Sequence, residues 1–391
     1  MYLLFLIITL LAINLFFLKR KIAAININIS SRSLRPHYLY CFILWSVIFI
    51  ILALFAINNL EFLLKIIILA ILLALSSFLT IFLLKKGFNA KKHIESFTKY
   101  LMMACTLCGI IITVLITFSI LFEAIRFFKI AGFFNFIFGT SWNPQVAIYE
   151  GQSTSNSSFG MLPIFAGTLL ITFIAMVFAA PLGLFGAIYL SQYAKKYVRN
   201  ILKPILEILA GIPTVVYGYF AAVFIAPALK VFFANFNINI ASESALGAGF
   251  VMGIMIIPFV LSLSEDAISA VPVSLRDGAL AMGSTKSETI KKVILASAFP
   301  NIVSAMLLAT SRAIGETMIV VMAAGLIAKL TINPLDSVTT ATVQIVTLLV
   351  GDQESDSPKT LAAFALGLVL FAITLILNII ALMTIKKYKA K

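Results

Sequence analysis

Charge is scarce in this sequence. Only 11% of its 391 residues are charged, while 62% are hydrophobic; an ordinary soluble domain carries about 25% charge. A water-soluble fold of this length cannot cover that much apolar content, and the same composition excludes a disordered chain. Cysteine is rare as well. Three residues supply no disulfide framework. Cys105 and Cys108 form a C-x-x-C within an apolar helical run, where the thiolate needed for redox or metal chemistry is costly, so packing roles are expected. The two histidines, His37 and His93, lie apart in basic loops, which leaves no histidine metal cluster. No glycine is followed by lysine, so the phosphate loop G-x-x-x-x-G-K-[ST] is missing and the chain does not cradle ATP in that way. No nucleophile–base pair is visible either. The sequence predicts no catalytic residue, cofactor or metal, and a protein that is not itself an enzyme.

What is present is apolar length. The mean hydropathy of +1.10 leaves an all-α integral membrane protein as the predicted fold class, with about 20 residues needed for each span. Runs bounded by charge predict nine transmembrane helices over 2–18, 39–57, 62–84, 101–122, 161–190, 204–230, 248–265, 297–325 and 361–384. The first run has its basic cluster, Lys19-Arg20-Lys21, after it rather than before it. That order predicts a retained span with the N-terminus outside, not a signal peptide.

The cations then fall into place. If nine helices alternate, 22 of the 29 Lys and Arg residues lie on one side, in the clusters around Lys19, Lys91, Lys196, Lys291 and Lys387. The other side holds Arg126, Lys129, Lys230, Lys329 and Lys359, and Lys65 and Arg312 lie within spans. Positive charge accumulates on the cytoplasmic side, so the C-terminus is expected there. The net charge of +14 is thereby accounted for without nucleic acid. Lys65 is shallow enough to snorkel to the interface, and Glu207 is expected to pair with Lys203, four residues before it.

Composition shifts near residue 100. The first three spans are plain Leu, Ile and Phe, whereas the later ones hold Pro181, Gly183, Pro213, Gly218, Gly253, Pro258 and Gly315, residues that kink helices and let them approach closely. Residues 1–99 therefore read as a three-helix extension, and 100–391 as the working domain with its core at about 161–385.

One polar segment, 265–296, is too charged to span. Two short helical stretches are expected to meet at Gly283, where a left-handed turn favours glycine, with Ser284 capping the second. The segment resembles the EAA loop of importer-type ABC permeases, whose pattern is E-A-A, three residues, G, nine residues, I-x-L-P. Here it runs Asp277-Gly278-Ala279, then Gly283, then Val293-x-Leu295-Ala296, with intact spacing and four replaced residues. The resemblance implies that Asp277, Gly278, Ala279, Gly283, Val293 and Leu295 form a coupling helix docking on a separate ATPase subunit.

Further stretches narrow the resemblance. Glu207-Ile208-Leu209-Ala210-Gly211-Ile212-Pro213-Thr214-Val215-Val216-Tyr217-Gly218, Arg312-Ala313-Ile314-Gly315-Glu316-Thr317-Met318 and Phe138-Gly139-Thr140-Ser141-Trp142-Asn143-Pro144 together resemble the phosphate ABC transporter permease of the PstC type. This implies a six-helix permease core in a bacterial inner membrane. The implied partners are a PstA-like second permease, PstB-like ATP-binding subunits, a PstS-like phosphate-binding protein and the lipid bilayer.

Arg312 is the expected substrate-path residue. An arginine within a span costs roughly 2.5–3.5 kcal/mol on insertion scales, and such residues face cavities and carry function. Its planar fork matches two phosphate oxygens. Glu316, four residues on, is expected on the same helix face as a balancing charge, with Thr317 beside it. A self-neutralising intrahelical ion pair is the competing account. Other oxyanions such as sulfate or molybdate, or a secondary transporter, are the alternative functions.

Overall fold

The computed structural model describes residues 90–144, 158–238, 240–350 and 357–389. The expected spans 2–18, 39–57 and 62–84, together with Lys65, lie outside the described residues. The chain divides at Leu115 into two compact units; the second, residues 116–391, is the subject below, with the helix that runs through the division.

Nearly all of the described chain is helical. In order come α1 (Ala90–Ala131), α2 (Phe133–Phe138), a two-stranded antiparallel hairpin of β1 (Trp142–Asn143) and β2 (Ser158–Phe159), α3 (Leu162–Ile188) and α4 (Lys196–Gly211). Then follow α5 (Thr214–Phe220), α6 (Ala226–Ala234), α7 (Ala245–Ser269), α8 (Val273–Ala281) and α9 (Lys286–Glu288). The chain ends with α10 (Leu295–Ile314), α11 (Met318–Ala323), α12 (Ala341–Leu349) and α13 (Pro358–Lys389). π-helical turns link α5 to α6 and α9 to α10. Among the described residues, six stretches are long and apolar enough to cross a membrane: Ile94–Ala131, Leu162–Tyr193, Thr214–Ala234, Ala245–Ser269, Lys286–Ile314 and Pro358–Thr384. They answer to the last six predicted spans.

Two of the expected spans are cut short, while those expected over 101–122 and from 297 extend further, to Ile94–Ala131 and back to Lys286. The span expected over 204–230 starts at Thr214, because the helix breaks at Gly211-Ile212-Pro213. Proline has no N–H and disfavours helical backbone in the residue before it, and Ile212 is extended (φ −65°, ψ 129°). The span expected over 297–325 stops at Ile314. Gly315 is a weak helix former, and the Glu316 carboxylate accepts from Met318 N (3.0 Å) and Ile319 N (3.4 Å). In an unbroken helix those amides would donate to residues 314 and 315.

The centre of the bundle is α3 against α7. A Cβ on Gly249 would lie 2.7 Å from Ile174 Cγ2, and one on Gly253 3.0 Å from the Ala175 carbonyl. Close backbone approach of this kind, rather than a hydrophobic force, holds helices together in lipid. Around it pack Ile171, Met252, Ile256, Ala309, Ala313 and Ile319. A second cluster gathers Phe127, Phe136, Trp142, Ile164, Leu348 and Leu361 near the hairpin. A third joins Leu190, Ile268, Ile290, Ile294 and Ile302 at the end of the bundle that carries loop 265–296.

Candidate functional site

Loop 265–296 has a defined structure. Helix α8 ends in a Schellman turn: Gly283 N donates to the Leu280 carbonyl (3.0 Å) and Ser284 N to the Ala279 carbonyl (3.2 Å). Gly283 sits at φ +87°, the conformation expected for it. The cap of the following helix is Thr285, not Ser284. Thr285 N donates to Glu288 Oε2 (3.0 Å) and Glu288 N to Thr285 Oγ1 (3.3 Å), a reciprocal capping box that needs a carboxylate three residues on. Ser284 lacks that partner, because position 287 is serine. Asp277 and Gly278 are exposed on α8, Ala279 is half-buried, and Val293 and Leu295 are half-buried beyond the turn. Val273, Leu275 and Met282 also present apolar side chains outward, Met282 at 87% exposure.

Arg312 occupies the last turn of α10. Its guanidinium lies over the Phe259 ring of α7, 5.2 Å from the centroid, within cation–π range. The expected pairing with Glu316 is absent: the helix ends between the two residues, and among the described residues no ion pair joins them. Glu316 instead caps α11, its own carbonyl accepts from Thr342 Oγ1 (2.7 Å), and Thr317 is the half-buried residue before α11. Thr310 returns its hydroxyl to the Met306 carbonyl (2.8 Å).

Lys203 does not pair with Glu207. It and Arg199 both reach Glu265, which is buried on α7. Sequence reading also passed over Phe259, Thr342 and Gln344. Trp142 Nε1 donates to Gln344 Oε1 (2.9 Å), and Gln344 Nε2 donates to Thr339 Oγ1 (3.2 Å). The run Thr339-Thr340-Ala341-Thr342, polar yet buried, was the available signal. The two motifs around Gly218 and Arg312 do meet: a Cβ on Gly218 would lie 3.0 Å from the Met318 carbonyl and 3.2 Å from Ile319 Cα.

Residues 179–389, the stretch from the second half of α3 to the end of α13, match the binding-protein-dependent transport system inner membrane component family. The chain belongs to this family. It is a multi-pass inner-membrane permease, a transport component and not an enzyme, and permeases of this kind work with ATPase and substrate-binding partners. It is 33% identical over 278 residues to the probable ABC transporter permease protein YqgH of Bacillus subtilis, covering 71% of this chain and 86% of that one. It is 29% identical over 313 residues to the phosphate transport system permease protein PstC of Xylella fastidiosa, covering 76% and 92%. The probable PstC of Methanocaldococcus jannaschii is 29% identical over 254 residues, covering 61% and 79%. PstC proteins are thus homologues of this permease over most of its length.

Proposed function

We propose that this permease carries inorganic phosphate inward in an ATP-driven importer, passing the anion by Arg312, Glu316 and Thr317. The observation that carries this reading is the similarity to phosphate permeases over 76% of the chain. The chemistry of Arg312 supports it. An exposed guanidinium near the end of a candidate span, resting on Phe259 and bound by no carboxylate among the described residues, keeps its N–H fork for an anion. Glu316 is engaged in capping, so it shapes the turn beside the path rather than neutralising the arginine. Loop 265–296 docks on a PstB-like ATPase through Asp277, Gly278, Ala279, Gly283, Val293 and Leu295. A PstA-like permease completes the pathway, and a PstS-like protein delivers phosphate. The N-terminus is outside, the C-terminus cytoplasmic, and residues 1–99 form an appended membrane extension.

The test is labelled phosphate uptake per assembled complex, with membrane abundance checked. Arg312→Gln is expected to abolish uptake, and Arg312→Lys to impair it, because an ammonium keeps the charge and loses the fork. Near-normal uptake by Arg312→Gln refutes the path role. Competition by unlabelled sulfate or molybdate as strong as that by phosphate refutes the choice of anion.

A further inference from the structure

Glu265 lies one turn before the end of α7, where loop 265–296 begins, and its side chain is 2% exposed. A carboxylate that deeply placed is costly unless each oxygen is satisfied. Both oxygens are. Oε1 accepts from Arg199 Nη2, and Oε2 from Lys203 Nζ at 3.2 Å. The two cations stand four residues apart on α4, hence on one helix face, and each is 40% exposed. The carboxylate is therefore the buried member of a clamp whose other two members reach solvent.

The far end of α4 leads to the Gly211-Ile212-Pro213 bend. There Tyr217 Oη donates to the Leu209 carbonyl across the break (3.0 Å), which ties α5 to the last turn of α4. The next residue, Gly218, presses on Met318 and Ile319. Those are the residues whose amides the Glu316 carboxylate holds. An unbroken series of contacts thus runs from the root of loop 265–296, through Glu265 and α4, to the turn beside Arg312.

We propose that Glu265 is a positioning residue for transport: with Arg199 and Lys203 it clamps α4 to the root of the loop, so that displacement of the loop is delivered through the Pro213 bend to the Glu316 turn. This rests on the reading of loop 265–296 as the ATPase-coupling segment. A clamp that served stability alone would be replaceable by neutral groups of the same shape. A clamp that transmits motion needs the tie itself.

The experiment uses the full complex, with its ATPase subunits and binding protein, in liposomes. ATP hydrolysis and uptake of labelled inorganic phosphate are measured on the same preparation. Glu265→Gln keeps the shape and removes the charge. ATP consumed per phosphate imported is expected to rise by about 2- to 30-fold, the span that altered coupling in such networks produces. Glu265→Asp, which keeps the charge on a shorter arm, should fall between the two. An unchanged ratio overturns the proposal, whether through unaltered rates or through parallel losses. If Glu265→Gln does not assemble, Lys203→Gln is read in its place, and an unchanged ratio there also overturns it. Gly283→Val separates the two levels of argument. If that variant keeps normal coupling, the reading of the loop fails; if it uncouples while Glu265→Gln does not, only the clamp fails.

Discussion

Gly283 offers a perturbation whose size follows from one backbone angle. At φ +87° it lies in the left-handed region, and a Cβ added there would have nothing within 4 Å. Substitution therefore meets no steric obstacle, and its whole cost is conformational. An L-residue forced into that region loses roughly 1–2 kcal/mol, and a β-branched one is a stronger outlier. The turn is held by two Schellman hydrogen bonds, from Gly283 N and Ser284 N, each contributing about 1 kcal/mol net. Alanine should thus weaken the turn by about 5- to 30-fold, at 1.4 kcal/mol per tenfold, and valine should remove what the hydrogen bonds supply. Asparagine tolerates left-handed backbone and should be nearly neutral. The assay is phosphate-stimulated ATP turnover by the assembled complex, read beside membrane abundance. The expected order of activity is Gly, Asn, Ala, Val, with abundance unchanged because the site is exposed. Full turnover by Gly283→Val would show that the turn has no part in coupling.

Trp142→Phe keeps a ring against Phe159 but leaves Gln344 Oε1 without its indole donor in a buried site. The loss should be about 1–3 kcal/mol, visible as a lower unfolding midpoint in detergent; an unchanged midpoint contradicts it. Asp336 is held below the ordinary carboxylate range, first by the hydrogen bond from Lys329 and then by that from Thr331. Because its folded pKa is depressed, it steadies the 329–336 loop above the unfolded value and loses that effect as pH falls through the folded one. Protease sensitivity of the loop should rise at pH below about 4, and Asp336→Asn should remove that dependence. A reporter active only outside the cytoplasm should work when fused near Ser155 or Glu354 and be silent near Lys92 or Lys286; activity at Lys92 would break the nine-span topology.

The spans were legible because lipid makes a one-dimensional demand. A crossing helix must satisfy every backbone group within itself and be apolar for about 20 residues, and among the described residues six such stretches overlie the last six of the expected spans. The turn at Gly283 was legible for a similarly local reason, since only backbone geometry selects glycine there. Motif spacing in 277–295 was enough to indicate the family to which residues 179–389 belong. Tertiary structure decided the rest. Hydropathy registers no break at Pro213 or Gly315, since the residues on either side remain apolar; competing hydrogen bonds and proline backbone make those breaks. Helical periodicity pairs Arg312 with Glu316 and Lys203 with Glu207, and neither pair forms. Glu316 is drawn to free amides, and Lys203 to a carboxylate 62 residues away. The bond from Trp142 to Gln344 crosses 202 residues. Contacts of that range depend on which small residues let helices approach, as Gly218 does with Met318. Local pattern carries no record of them, because their energy arises only once the bundle has packed.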